Sequence, residues 1–154
     1  MIKIIVITIV LTIIGSFCYV KFNQPTTDLE TTTIWINNQP FKALIADTIS
    51  KRIKGLSNRG SLPKDEAMLF VFDKCDYHGF WMKDMNFPID IIWLNEEKVI
   101  VDIKTNIEPK TWPKIFYPNQ LAYYGIEINA GLVQKYEIKE GQKVMVLKMS
   151  QPDK

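Results

Sequence analysis

Ala67-Met68-Leu69-Phe70-Val71-Phe72 is an unbroken run of six apolar residues. It is too short for a core helix and rich in side chains that suit a pleated surface, so it predicts a strand buried on both faces. Downstream, Tyr77 to Met82 predicts a second strand and Ile89 to Leu94 a third, entered from Pro88. Asn95-Glu96-Glu97 turns the chain into Val99 to Ile103, where Val99, Val101 and Ile103 share one face. Leu121 to Ile128 and Gln142 to Met149 add further strands, with a short helical turn between them from Ala130 to Tyr136. Asn106 to Gln120 contains Pro109, Pro113 and Pro118 and predicts a long loop.

Upstream of the run, Thr32 to Asn37 alternates weakly around Ile34, Trp35 and Ile36. Asn38-Gln39-Pro40 predicts a turn into a strand from Phe41 to Ala46. Asp47 or Thr48 then offers a cap for a helix over Ile49 to Leu56, and Gly60 and Pro63 close that region. Short strands at this spacing with one main helix predict a mainly β fold: a small β-barrel or sandwich with one or two short helices.

The N-terminus has a different character. Ile4 to Val20 carries no charge, at the short end of what crosses a bilayer. Backbone groups in hydrocarbon must bond internally, so the run predicts a membrane-anchoring helix. Lys3 precedes it and Lys21 follows, a slight bias toward an inside N-terminus and a translocated body. Gly15-Ser16-Phe17-Cys18 puts a bulky Phe where a signal-peptide or lipoprotein cleavage site wants a small residue, which favours a retained anchor. The expected organisation is a signal anchor over residues 1–21 (or a signal peptide), a polar tether over 22–31 and a β domain over 32–150. The expected location is single-pass on a membrane, the domain on the extracytoplasmic side, or secreted or periplasmic if the segment is cleaved.

The length of 154 residues fits one domain plus this segment. Net charge is +2 with both signs interspersed, which leaves no electrostatic footprint for nucleic acid. Cys18 lies in the apolar run, so Cys75 is alone in the soluble part and an intradomain disulfide is excluded.

Arg52-x-x-Gly55-Leu56-Ser57-x-Arg59-x-x-Leu62, Met68-Leu69-Phe70-Val71-Phe72, Phe80-Trp81-Met82-Lys83 and Pro88-Ile89-Asp90-Ile91-Ile92 form an ordered series, followed by Glu127-x-x-Ala130-Gly131 and Glu140-Gly141. In that order they resemble the DUF192, or UPF0127, family over Ile34 to Met149. The chain departs from the usual pattern at Ala67, at Asp84-Met85 and at Gly125-Ile126. The resemblance implies a compact all-β fold, often behind a signal sequence or anchor, and no settled activity.

Asp90 and Glu127 interrupt apolar strands. By alternation Asp90 shares a face with Ile92 and Leu94, and Glu127 with Tyr123 and Leu121. A carboxylate in such surroundings needs a partner or its pKa rises. Lys83, Arg52 and Arg59 are the cations at hand, the two arginines on one face if their helix persists for two turns. One expectation is therefore a polar pocket of these carboxylates and cations rimmed by Trp81 and Tyr123, binding a small molecule, glycan or protein. A carboxylate-bearing or sugar ligand would suit it. The alternative is a purely structural ion-paired network.

Two other classes stay open. An extracytoplasmic hydrolase would use Asp90 and Glu127 as paired carboxylates across one cleft. An envelope structural or assembly factor would act through Ile115, Phe116 and Tyr117. Cys75-x-x-His78 supplies two ligands where metal sites take more, and there is no Gly-rich phosphate loop. No metal, cofactor or catalytic residue is assigned; the expected partners are a membrane, through residues 4–20, and an unknown ligand or protein.

Overall fold

Two asparagines start the sheet. Asn37 and Asn38 both hold positive φ, 46° and 64°, the conformation that joins strands through a two-residue turn matching their twist. Strand β1 (Thr31–Ile36) and strand β2 (Gln39–Ala46) pair antiparallel across it. The turn thus sits earlier than the predicted Asn38-Gln39-Pro40. Pro40 is accommodated inside β2 because the ladder to the next strand starts only at Lys42. In this computed structural model the structure describes residues 29–147. The predicted anchor and most of the predicted tether lie outside the described residues. Among the described residues, no helix is long and apolar enough to cross a membrane.

Helix α1 (Ile49–Lys54) begins at Thr48, whose side-chain oxygen accepts the Lys51 N–H at 3.3 Å. It stops at Gly55, held at φ 47°, so it is two residues shorter than predicted. The rest of the chain gives β3 (Glu66–Asp76), β4 (Phe80–Trp81), β5 (Ile89–Leu94), β6 (Ile100–Ile107), β7 (Ile115–Phe116), β8 (Ala122–Asn129), helix α2 (Leu132–Lys135) and β9 (Met145–Val146). A 3-10 turn over Pro109–Thr111 and β7 lie within the stretch predicted as a plain loop.

Among the described residues, seven strands form one sheet in the order β6-β5-β8-β3-β2-β1-β9, and β4 pairs with β7 as a separate ribbon. All pairings in the large sheet are antiparallel except β2 with β3, the pair that α1 connects. The sheet is a curled half-barrel rather than two stacked sheets. Main-chain bonds bridge the ends of the curl: Ile100 N–H to Gln142 O and Val144 N–H to Lys98 O, each 2.9 Å, while β9 pairs with β1.

The curl creates two cores. Inside it lie Ile34, Phe41, Leu69, Ile92, Ile126, Val144 and their neighbours. On the outer face Met68, Phe70, Ile91 and Trp93 pack with Leu56, Phe80 and Met82. Strand β3 therefore contributes Ala67 and Leu69 to one core and Met68 and Phe70 to the other, as its unbroken apolar run predicts. Strand β5 is buried along its whole length for the same reason. Trp93 donates its indole N–H to the His78 carbonyl at 2.8 Å. That bond fixes the chain just before β4.

Candidate functional site

The register of the three central strands decides where the two buried acids point. Glu127 on β8 lies opposite Ile91 on β5 and Met68 on β3, both outer-core residues. Asp90 lies opposite Ile128, an inner-core residue. Directly opposed residues share a face, so the two carboxyls are on opposite sides of the sheet. The expectation of a hydrolase working them as a pair across one cleft is corrected by this geometry: no substrate bond can lie between them.

Asp90 is fully buried and spans two elements. One oxygen accepts the Asn106 N–H at 2.8 Å and the other the Val133 N–H at 3.0 Å, tying the end of β6 to the start of α2. These two donors satisfy it without any cation.

Glu127 is 4% exposed, and its Oε2 has no hydrogen-bond partner among the described residues. Burial alone pushes its carboxyl up to about 8, so it is protonated at neutral pH. It closes the inner end of a cavity of about 180 Å³ between α1 and the outer face of the sheet. Phe70, Phe72, Phe80, Trp81 and Met85 supply the walls, and α1 with Gly55 and Leu56 the roof. The aromatic wall depends on Gly125: a Cβ there would sit 2.4 Å from Cζ of Phe80. With hydrogen instead, Phe80 lies against β8 and packs edge-on to Phe70 and Trp93, at centroid distances of 4.8 and 5.5 Å.

Arg52 stands at the rim, but its guanidinium is engaged elsewhere. It donates to the Asp47 and Val71 carbonyls at 2.8 and 2.7 Å and to the Asp73 carboxylate at 3.0 Å, and it lies over the Phe72 ring. The expectation that basic neighbours neutralise the two inward acids is therefore corrected. Asp90 is held by amides and Glu127 by protonation.

Of the residues singled out in the sequence, Arg52, Trp81 and Glu127 converge on this cavity. Lys83 is exposed, and its carbonyl accepts from Ser57 Oγ at 2.7 Å. Tyr123 is half-buried beside Tyr124, at a centroid distance of 5.0 Å. Because α1 ends at Lys54, Arg59 is carried off the helix and lines a separate surface groove with Lys42 and Lys51. His78 stacks on Phe72 at 3.5 Å and hydrogen-bonds to the Lys74 carbonyl, while Cys75 is exposed. The walls Phe70, Phe72, Phe80 and Met85 were not singled out as site residues. The signal that points to Phe70 and Phe72 is the alternation of Met68, Phe70 and Phe72, which share one face of β3.

These features define a curled β half-barrel whose outer face carries an aromatic-walled cavity ending in a lone carboxyl. Residues 32–146 match the family model DUF192, described as uncharacterized ACR. The chain belongs to the DUF192 family. It is 32% identical over 108 residues to the UPF0127 protein TK1120 of Thermococcus kodakarensis, which covers 67% of this chain and 63% of that protein. It is 33% identical over 108 residues to a UPF0127 protein of Pyrococcus abyssi, covering 67% of this chain and 84% of that protein. The chain thus spans less than two thirds of the Thermococcus kodakarensis relative. A crystal structure of a Novosphingobium aromaticivorans protein of unknown function superposes with a TM-score of 0.71 at 26% identity, covering 79% of this chain and 89% of that one. A proposed transcription regulator from Sinorhizobium meliloti 1021 shares the fold, with a TM-score of 0.74 at 22% identity over 78% of this chain and 96% of that one.

Proposed function

We propose that this chain is a non-enzymatic receptor for a small molecule, held outside a membrane by residues 4–20, with the ligand seated between α1 and the outer face of the sheet. The observation that carries the reading is Glu127, a buried polar group left without a partner among the described residues, in a cavity whose walls are mostly aromatic and apolar. Buried polar groups are almost always satisfied, and an exception inside a concave apolar site points to what binds there. The cavity of about 180 Å³ exceeds the roughly 150 Å³ that admits benzene in an engineered protein cavity. The anchoring role rests on the uncharged run from Ile4 to Val20.

Binding is tested with a library of aromatic fragments added to the full chain in detergent micelles, followed by amide and indole chemical shifts. Hits that move Gly55, Gly79 and the Trp81 indole are the expected result; a library silent at those positions refutes the cavity as a site. For the anchor, protease added outside intact spheroplasts should digest the domain. Digestion only after lysis would put it on the other side.

A protein partner is the second reading, and one surface favours it. Trp112, Ile115 and Tyr117 are exposed along the β4–β7 ribbon, with Trp112 edge-on to Trp81 at the cavity wall. Crosslinking from this ribbon that recovers no neighbour in membranes would count against it.

A further inference from the structure

We infer that the ligand is an organic ammonium ion with a single cationic head and an apolar body of about the size of a phenyl ring, its head on Glu127 and its body among Phe70, Phe72, Phe80 and Trp81. The inference rests on the cavity being a binding site. Three features of that cavity select this chemistry.

The first is the missing countercharge. Among the described residues, the ionisable groups in the lining besides Glu127 are Arg52 and Lys54. Arg52 is committed to Asp47, Val71 and Asp73, and Lys54 is exposed at the mouth. Neither moves the Glu127 carboxyl, whose displacement has burial as its cause. Met68 and Ile91 flank it on β3 and β5, Phe80 and Trp81 line the cavity from β4, and none of these can titrate. His78 lies behind Phe72, stacked on it. A ligand that brings its own positive charge would complete an ion pair the protein leaves half-made.

The second is the wall. Aromatic faces carry negative potential and attract ammonium groups, most strongly where water is excluded. The third is the polarity of the lining. A carboxylate or a sugar, which the sequence expectation allowed, needs several converging donors. Among the described residues, Ser57 supplies the one hydroxyl in the lining, and its Oγ already donates to the Lys83 carbonyl. A single head group at one end of an apolar body matches what is present.

Binding of this ion is a balanced exchange. The Glu127 carboxylic acid gives its proton to solvent, and the resulting carboxylate pairs with the ammonium, which keeps all its protons. With the carboxyl at about 8 in the empty protein, binding at pH 7 should release about 0.9 proton per ligand. The affinity should rise about tenfold from pH 6 to 7 and level off above 8, since an alkylammonium stays charged throughout.

The test is calorimetric titration of the full chain in detergent micelles, corrected with empty micelles. The probes are phenethylammonium, 2-phenylethanol and 3-phenylpropionate, in two buffers of different ionisation enthalpy. Phenethylammonium should bind at least about tenfold more tightly than the alcohol, with the proton release given, and phenylpropionate most weakly. In Glu127→Gln the ammonium should lose about tenfold or more, while the alcohol changes by less than about threefold. The proton count needs no variant, so it holds the inference to account even if Glu127→Gln folds poorly. An alcohol that binds as tightly as the ammonium, or binding of the ammonium without proton release, overturns the ammonium assignment and leaves the cavity as a site. Silence from all three probes, with fragment hits still at Gly55, Gly79 and Trp81, does the same. Silence from probes and fragments together overturns both.

Discussion

Replacing Glu127 by glutamine should make the protein more stable, and by an amount that grows with pH. The carboxyl is pushed from an ordinary 4.5 to about 8 in the folded protein, by burial. Below pH 4.5 it is protonated in the folded and unfolded chain alike, and no difference arises. Between 4.5 and 8 the unfolded chain releases a proton that the folded chain keeps, so wild-type stability declines as pH rises. Above 8 the folded form ionises too and the decline stops. At pH 7 two and a half pH units of decline, at about 1.4 kcal/mol each, amount to about 3 kcal/mol. Glutamine has nearly the same shape and cannot ionise, so E127Q should match wild type near pH 4.5. At pH 7 it should exceed wild type by about 3 kcal/mol, or about 10 °C in Tm. Urea unfolding of both full chains in one detergent, followed by tryptophan fluorescence at pH 5, 6, 7 and 8, measures the gap. A gap that stays constant with pH, or E127Q the weaker protein at pH 7, would mean that Glu127 is ionised and paired in the fold, and the burial argument would be wrong.

Asp90→Ala strands the N–H groups of Asn106 and Val133, and should lower unfolding stability by about 3 kcal/mol; a loss below about 1 kcal/mol would show that water replaces the carboxylate. Gly125→Ala drives a methyl into the Phe80 ring and should cost about 2 kcal/mol by denaturant unfolding, with part regained in the double variant carrying Phe80→Leu. If the two losses simply add, Phe80 does not lie where this contact requires. Thr48→Ala removes the cap of a six-residue helix and should cost about 1 kcal/mol, together with weaker fragment binding beneath α1 in the same shift assay. Unchanged shifts at Gly55 and Trp81 would separate the helix from the site.

The strands that form the centre of the sheet were legible because their chemistry leaves little choice. Ala67 to Phe70 and Ile89 to Leu94 have apolar side chains on both faces, Asp90 apart, and can be satisfied only between two layers. Strand order was not legible: β8 sits between β3 and β5, far from either in sequence. Tyr77 to Met82 has good strand composition but shrinks to Phe80–Trp81, because the His78 carbonyl is taken by the Trp93 indole instead of a neighbouring strand. Gln142 to Met149 likewise begins as a bridge to Lys98 and Ile100, and among the described residues, which end at Leu147, it pairs as β9 at Met145–Val146. At the site, alternation correctly placed Asp90 on the face of Ile92 and Leu94. It could not show that main-chain amides, rather than cations, would satisfy it. Nor could it show that Arg52 would spend its donors on carbonyls and Asp73, out of reach of Glu127.

The bridge from Gln142 through β9 has a consequence for how the molecule is made. Strand β1 is translated before the other strands described, yet one of its two edges is covered, among the described residues, by Met145 to Leu147, more than a hundred residues later. Until those residues arrive, the hairpin of β1 and β2 offers an open row of amides and carbonyls to any extended segment nearby. Interrupting synthesis or trimming the chain shortly before Met145 should therefore yield a sticky, self-associating intermediate, and the last few residues of the barrel serve as its safety catch.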